Sequence, residues 1–104
     1  MEKHPQLIFC TCPDRDCAQN LANTIVEQRL AACVSILPGV HSIYHWQGKQ
    51  ESADEILLLI KTHSQVYPAL ERLIQQQHPY ELPEIIAVPV ENGLPAYLNW
   101  ISEL

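Results

Sequence analysis

The chain has 104 residues, 47% of them hydrophobic, enough to bury a core and consistent with one domain over residues 1–104. Twelve acids against six bases, spread singly, give a net charge of -6, and such a surface repels nucleic acid and anionic membranes, so neither is expected as a partner. The apolar run from Leu7 to Cys10 is too short for a signal-peptide core or a membrane span. A cytoplasmic location is therefore expected, in which Cys10, Cys12, Cys17 and Cys33 are free thiols or metal ligands with no zinc-finger spacing.

Gln6 to Thr11 reads as a strand buried on both faces, stopped by Cys12-Pro13-Asp14. Asp14 is placed to cap a helix whose stripe is Ala18, Leu21, Ala22, Ile25 and Val26, running to about Arg29. Leu30 to Thr62 then forms one long antiparallel ribbon around the tight turn Gln47-Gly48, where glycine supplies the positive backbone angle of a primed turn. With Trp46 opposite Lys49, Tyr44 falls opposite Glu51, and these four share one face of the tip. Pro38-Gly39 cannot continue a regular ladder, so the ribbon kinks at its middle. An arm of about fifteen residues is too long for a domain of this size to cover, so its far half is expected to pack on something outside the monomer.

A second helix follows, capped by Ser64 or Gln65, with Pro68 in its first turn and Val66, Leu70, Leu73, Ile74 and Gln77 along its stripe. His78-Pro79-Tyr80-Glu81-Leu82-Pro83 ends it, because each residue before a proline is pushed out of the helical region. Glu84 to Val90 is a strand that Pro89 confines to an edge or a bulge. Gly93-Leu94-Pro95 opens a last short helix with Leu94, Tyr97, Leu98 and Ile101 on one side. The order predicts an α+β, ferredoxin-like β-α-β-β-α-β fold with a long central hairpin and a short C-terminal helix, two helices covering one face of a four-stranded antiparallel sheet. Val34, Ile36, Leu57 and Leu59 then lie on arms with a single helical layer to cover them, and self-association is expected to cover the open face.

Cys10 and Cys12 point to one face of a regular strand, and thiolates and imidazoles are ligands that soft and borderline metal ions prefer. The alternative is that both pack as small hydrophobes. Cys17 sits near a helix start, where a thiolate is favoured, and Cys33 reads as core. His78 at a helix end suits either a ligand or a C-terminal cap, and His41 and His45 share a face of the ribbon as ligands or as its solvent or interface side. Tyr44, Trp46, Tyr80 and Trp100 read as packing residues, with Tyr44 and Trp46 the interface candidates. Lys61 either binds an anion in a cleft between subunits or pairs with an acid. With no Gly-rich phosphate loop, nucleophile elbow or H-E-x-x-H pattern, no catalysis is expected.

These segments resemble the CutA, or divalent-cation-tolerance, family over nearly the whole chain. The resemblance rests on Cys10-Thr11 with Pro13-Asp14, Arg29 to Val34 with Pro38-Gly39, Tyr44-x-Trp46-x-Gly48-Lys49 with Glu51 and Glu55, Ile60-Lys61-Thr62, His78 to Glu84, and Tyr97-Leu98-x-Trp100. It implies a homotrimer with hairpins packed between subunits, a role in tolerance of copper and other divalent metals, and copper ligands at Cys10 and His78. Gln77 stands where some members carry a second histidine. Two functions are thus expected: a non-enzymatic trimeric protein binding copper or another divalent ion, or a trimeric signalling or scaffold module that holds a small anionic effector between subunits, with Lys61, Tyr80 and Glu81 lining the cleft.

Overall fold

Four segments rich in Val, Ile, Leu and aromatic residues become strands in a computed structural model that describes residues 2–104: β1 (Pro5–Cys12), β2 (Cys33–Trp46), β3 (Lys49–His63) and β4 (Ile86–Pro89). They form one antiparallel sheet in the order β2-β3-β1-β4, and the helices are α1 (Arg15–Glu27), α2 (Tyr67–Gln77) and α3 (Pro95–Ser102). This is the expected α+β arrangement. Ile8, Cys10 and Cys12 of β1 and Leu58 and Ile60 of β3 make the floor of the core, roofed by Ala18, Leu21, Ala22 and Ile25 of α1 and Leu70, Leu73 and Ile74 of α2.

Asp14 caps α1: its Oδ1 accepts the Cys17 backbone N–H at 2.8 Å. That bond satisfies a donor the helix itself leaves unpaired, so Asp14→Ala is expected to lower stability by about 1 kcal/mol. A urea melt would show it as a lower midpoint at unchanged slope. The helix ends at Glu27, before the Arg29 of the sequence expectation, because Arg29 takes a left-handed conformation (φ 60) and Leu30 N–H closes back on Ile25 O.

Neither Ser64 nor Gln65 caps α2. The cap position is Val66, with no side-chain hydrogen bond, and Ser64 Oγ instead accepts the backbone N–H of His4 at 3.0 Å. Pro68 lies in the first turn, where its missing N–H has no helical partner to lose. The short strand β4 pairs only with β1 and ends on Pro89, the edge position expected of it.

Along the ribbon, Trp46 faces Lys49 and Tyr44 faces Glu51, and Gln47 (φ 50) and Gly48 (φ 79) make a two-residue turn with both central residues at positive φ. Leu37 pairs with Leu57 but Val40 with Glu55, so Pro38 and Gly39 together oppose Ile56 in a bulge, Gly39 at φ 86. The ribbon projects from the core and makes the molecule long, 43 × 26 × 24 Å.

Residues opposite one another share a face. Val34 and Ile36 oppose Ile60 and Leu58, so they lie under the helices, not on the open face with Leu57 and Leu59 as expected. The open face instead carries Leu7 and Phe9, Leu57 and Leu59, exposed Leu37, and exposed Ile86 and Val88. α3 packs on β1 and β3 apart from the α1–α2 layer. Of its expected stripe only Ile101 is buried, while Leu94 and Tyr97 are exposed, as is Trp100 beside Tyr97.

Candidate metal centre

Strand alternation turns Cys10 and Cys12 to the helix side of β1, and the residue that follows α2, His78, arrives above them. One donor atom from each of the three lies within 4.8 Å of the other two, and all three residues are buried. Cys12 therefore belongs to the cluster as fully as Cys10. Gln77 is exposed on the last turn of α2.

His78 is fixed at both ring nitrogens. Nε2–H donates to Thr11 O at 2.7 Å, and Nδ1 accepts the Tyr80 backbone N–H at 3.1 Å, which defines a neutral ring with its proton on Nε2. The ring also leans on Tyr80, centroids 4.8 Å apart. Its carbonyl partner is the residue between the two cysteines, so the imidazole ties the exit of α2 to the stretch of β1 that aims both thiols. An ion gains a lone pair from His78 only if one of these hydrogen bonds opens.

The neighbouring Cys10 thiol, then burial, push the pKa of Cys12 far above the ordinary thiol value. Cys17 is pushed up to about 11 by burial, then by Cys12 and the Asp14 carboxylate. The helix start does not make Cys17 a thiolate, contrary to the expectation from its position, because these effects oppose the helix dipole. Cys10 Sγ contacts Thr11 O at 3.9 Å. All four cysteines are free, and Cys33 is only partly buried, opposite Lys61 on the open face, not in the core. Two sulfurs with an imidazole close by form a donor set that fits a soft or borderline ion better than a hard one.

An acidic group adjoins the centre. Glu55 is buried and accepts the Tyr80 hydroxyl at 2.7 Å. Burial, then this carboxylate, raise the Tyr80 pKa, and burial, then the same charge, raise that of Glu84. Tyr80 thus joins His78 through its N–H to Glu55 through its hydroxyl. Glu55, with Asp54, Val40 and Gly39, also lines a cavity of about 230 Å³ beside the bulge. Sequence reasoning gave Glu55 and Glu84 no site role; the available signal for Glu55 was an acid directly preceding the apolar run Ile56 to Ile60.

The remaining candidates do not converge within one subunit. Lys61 Nζ donates to Ser35 Oγ rather than to an acid. It lies six residues along β3 from Glu55, the partner of Tyr80, or about 20 Å on an extended strand. Glu81 is exposed. Tyr44 is exposed and Trp46 partly buried on the outer ribbon. His41 and His45 stand about 13 Å apart on an extended strand, too far to hold one ion together. His41 instead pairs at the surface with Asp54, Nδ1 to Oδ1 2.7 Å. Among the described residues no helix is long and apolar enough to cross a membrane.

A family model described as CutA1 divalent ion tolerance protein matches residues 6–104. The mouse protein named Protein CutA is 48% identical over 96 residues, which make up 92% of this chain and 54% of the mouse protein, so the chain spans about half the length of that relative. The divalent-cation tolerance protein CutA of Pectobacterium atrosepticum is also 48% identical over 96 residues, 92% of this chain and 87% of that protein. The crystal structure of CutA from Xylella fastidiosa superposes with a TM-score of 0.93 at 50% identity, covering 96% of each chain.

Proposed function

Since the chain belongs to the CutA1 divalent ion tolerance family, we propose that it is a non-enzymatic homotrimer that binds copper or another divalent metal ion through Cys10, Cys12 and His78. The convergence of three buried donor atoms from β1 and the exit of α2 carries this reading. Cys10 and Cys12 would supply sulfur, and His78 would supply Nδ1 once the Tyr80 N–H turned away. Gln77, the further ligand position suggested by the resemblance, would join only by turning inward from its exposed place. The trimer is supported by the apolar open face and by a ribbon longer than its own subunit can cover. The cytoplasm suits four free cysteines.

The test is a calorimetric titration of reduced protein with Cu(II) and Zn(II), with the mass followed by light scattering in the same sample. Saturable uptake at a whole number of ions per subunit is expected, and it is expected to be lost in a Cys10→Ala, Cys12→Ala variant of unchanged mass. Weak uptake without stoichiometry in the parent protein would overturn the reading.

A second reading is a scaffold that holds a small anionic effector between subunits. It draws on Lys61, a cation on the largely apolar open face whose hydrogen bonds go to Ser35 and Cys33 and not to an acid. With Tyr80 and Glu81 far along the sheet, such a cleft would combine Lys61 of one subunit with Tyr80 and Glu81 of another.

A further inference from the structure

Cys33 and Lys61 stand directly opposite one another on β2 and β3, on the open face of the sheet and away from Cys10, Cys12 and His78, which gather on the helix side. Lys61 has Leu7 of β1 on one flank and Cys33 on the other. Its amine turns from the leucine to the polar flank: Nζ donates to Ser35 Oγ and lies 3.9 Å from Cys33 Sγ. Both residues are half-buried, and Cys33 opens β2, a strand at the edge of the sheet, whereas Cys10 and Cys12 are fully buried. A sulfur nucleophile is thus held beside a primary amine and within reach of small solutes.

We propose that Cys33 and Lys61 are a peroxide-responsive pair that closes into a covalent sulfur–nitrogen link, with hydrogen peroxide as the oxidant. The Cys33 thiolate attacks one peroxide oxygen and the O–O bond breaks; the departing hydroxide takes a proton from the Lys61 ammonium and leaves as water. The sulfur, oxidised by two electrons, is then a sulfenic acid with a neutral amine beside it. The amine nitrogen attacks that sulfur, the S–O bond breaks, and the hydroxyl leaves with an amine proton as a second water, the same condensation that sulfenic acids undergo with backbone nitrogen. One peroxide is reduced to two waters, and one S–N bond is formed. Directly opposite residues have Cβ atoms about 5 Å apart, and the four-carbon stem of lysine has the freedom to bring nitrogen onto sulfur. The link ties the two arms of the ribbon at its base and takes the Lys61 charge off the open face. An added thiol reverses it by attacking the sulfur and releasing the amine.

The test exposes the whole reduced protein, and its Lys61→Arg and Cys33→Ser variants, to hydrogen peroxide; remaining thiols are then alkylated and tryptic peptides are weighed. In the parent, peptide 30–49 is expected to be joined to peptide 50–72, uncut after Lys61, at about 2 Da below the sum of the two, and dithiothreitol is expected to separate them. Lys61→Arg keeps the positive charge but is expected to leave Cys33 unlinked as a sulfinic acid, and Cys33→Ser to give neither product. Circular dichroism checks that each variant is folded. A parent in which Cys33 becomes a sulfinic acid while trypsin still cuts after Lys61 would overturn the proposal. So would a Cys33 joined to another cysteine, or one that peroxide leaves as the thiol.

Discussion

Replacing the hairpin tip, Tyr44 to Glu51, by an Asn-Gly turn between Ile43 and Ser52 is expected to lower the solution mass from that of the proposed trimer to that of one chain, with secondary structure largely retained. Ile43 and Ser52 are directly opposite one another, so a two-residue turn can close the shortened ribbon. The tip contributes no residue to the core cluster, Tyr44 is 43% exposed and Trp46 is only partly buried. What the deletion removes is therefore aromatic surface that its own core leaves uncovered, the surface the proposed trimer would bury. Light scattering at two concentrations, with far-ultraviolet circular dichroism on the same samples, would decide it. A variant that stays trimeric would show that the ribbon serves its own subunit.

Leu58→Ala is expected to lower stability by about 2–5 kcal/mol. Leu58 is fully buried on β3, with Cys10 on one side and Ile36 on the other, beneath the two-helix layer. A leucine truncated there leaves a void that the sheet cannot close without moving two neighbouring strands. Leu82→Ala is the control, since Leu82 is 71% exposed and its loss should change stability by less than about 0.5 kcal/mol. Urea unfolding of both at one protein concentration separates the effect from assembly. A loss below about 1 kcal/mol for Leu58→Ala would mean that the core relaxes around the site.

The parts of the fold that were legible in the sequence are those set by local chemistry. Gln47-Gly48 fixed the ribbon register through its turn type, Asp14 announced its helix, and Pro89 confined its strand to the edge. The cap of α2 was not legible, because the Ser64 hydroxyl is taken by the backbone of His4, sixty residues away in the chain. Nor was the burial of Val34 and Ile36, which depends on a pairing offset that no single strand reveals. In the site, period-two alternation placed Cys10 and Cys12 together, and the residue ending α2 supplied His78. The link from Tyr80 to Glu55 needs the path of the chain after α2, and the raised pKa of Cys17 needs the neighbours that β1 brings to it.

The bulge at Pro38-Gly39 is a phase corrector. The tip register is set by the turn and the base register by the core-facing pairs Val34–Ile60 and Ile36–Leu58, and the two differ by one residue. Two residues opposite Ile56 absorb that difference, which is why Tyr44 and Trp46 face the same way as Leu57 and Leu59 although they are even-numbered and Leu37 is odd. If Pro38 and Gly39 were replaced by regular strand formers, the extra residue would have nowhere to go. Either the aromatic tip would turn over, or the base would slip and bring Val34 and Ile36 out of the core. Removing Gly39 altogether would leave both registers in step on an edge strand that tolerates proline. At this one point the chain bears the loss of a residue better than its exchange.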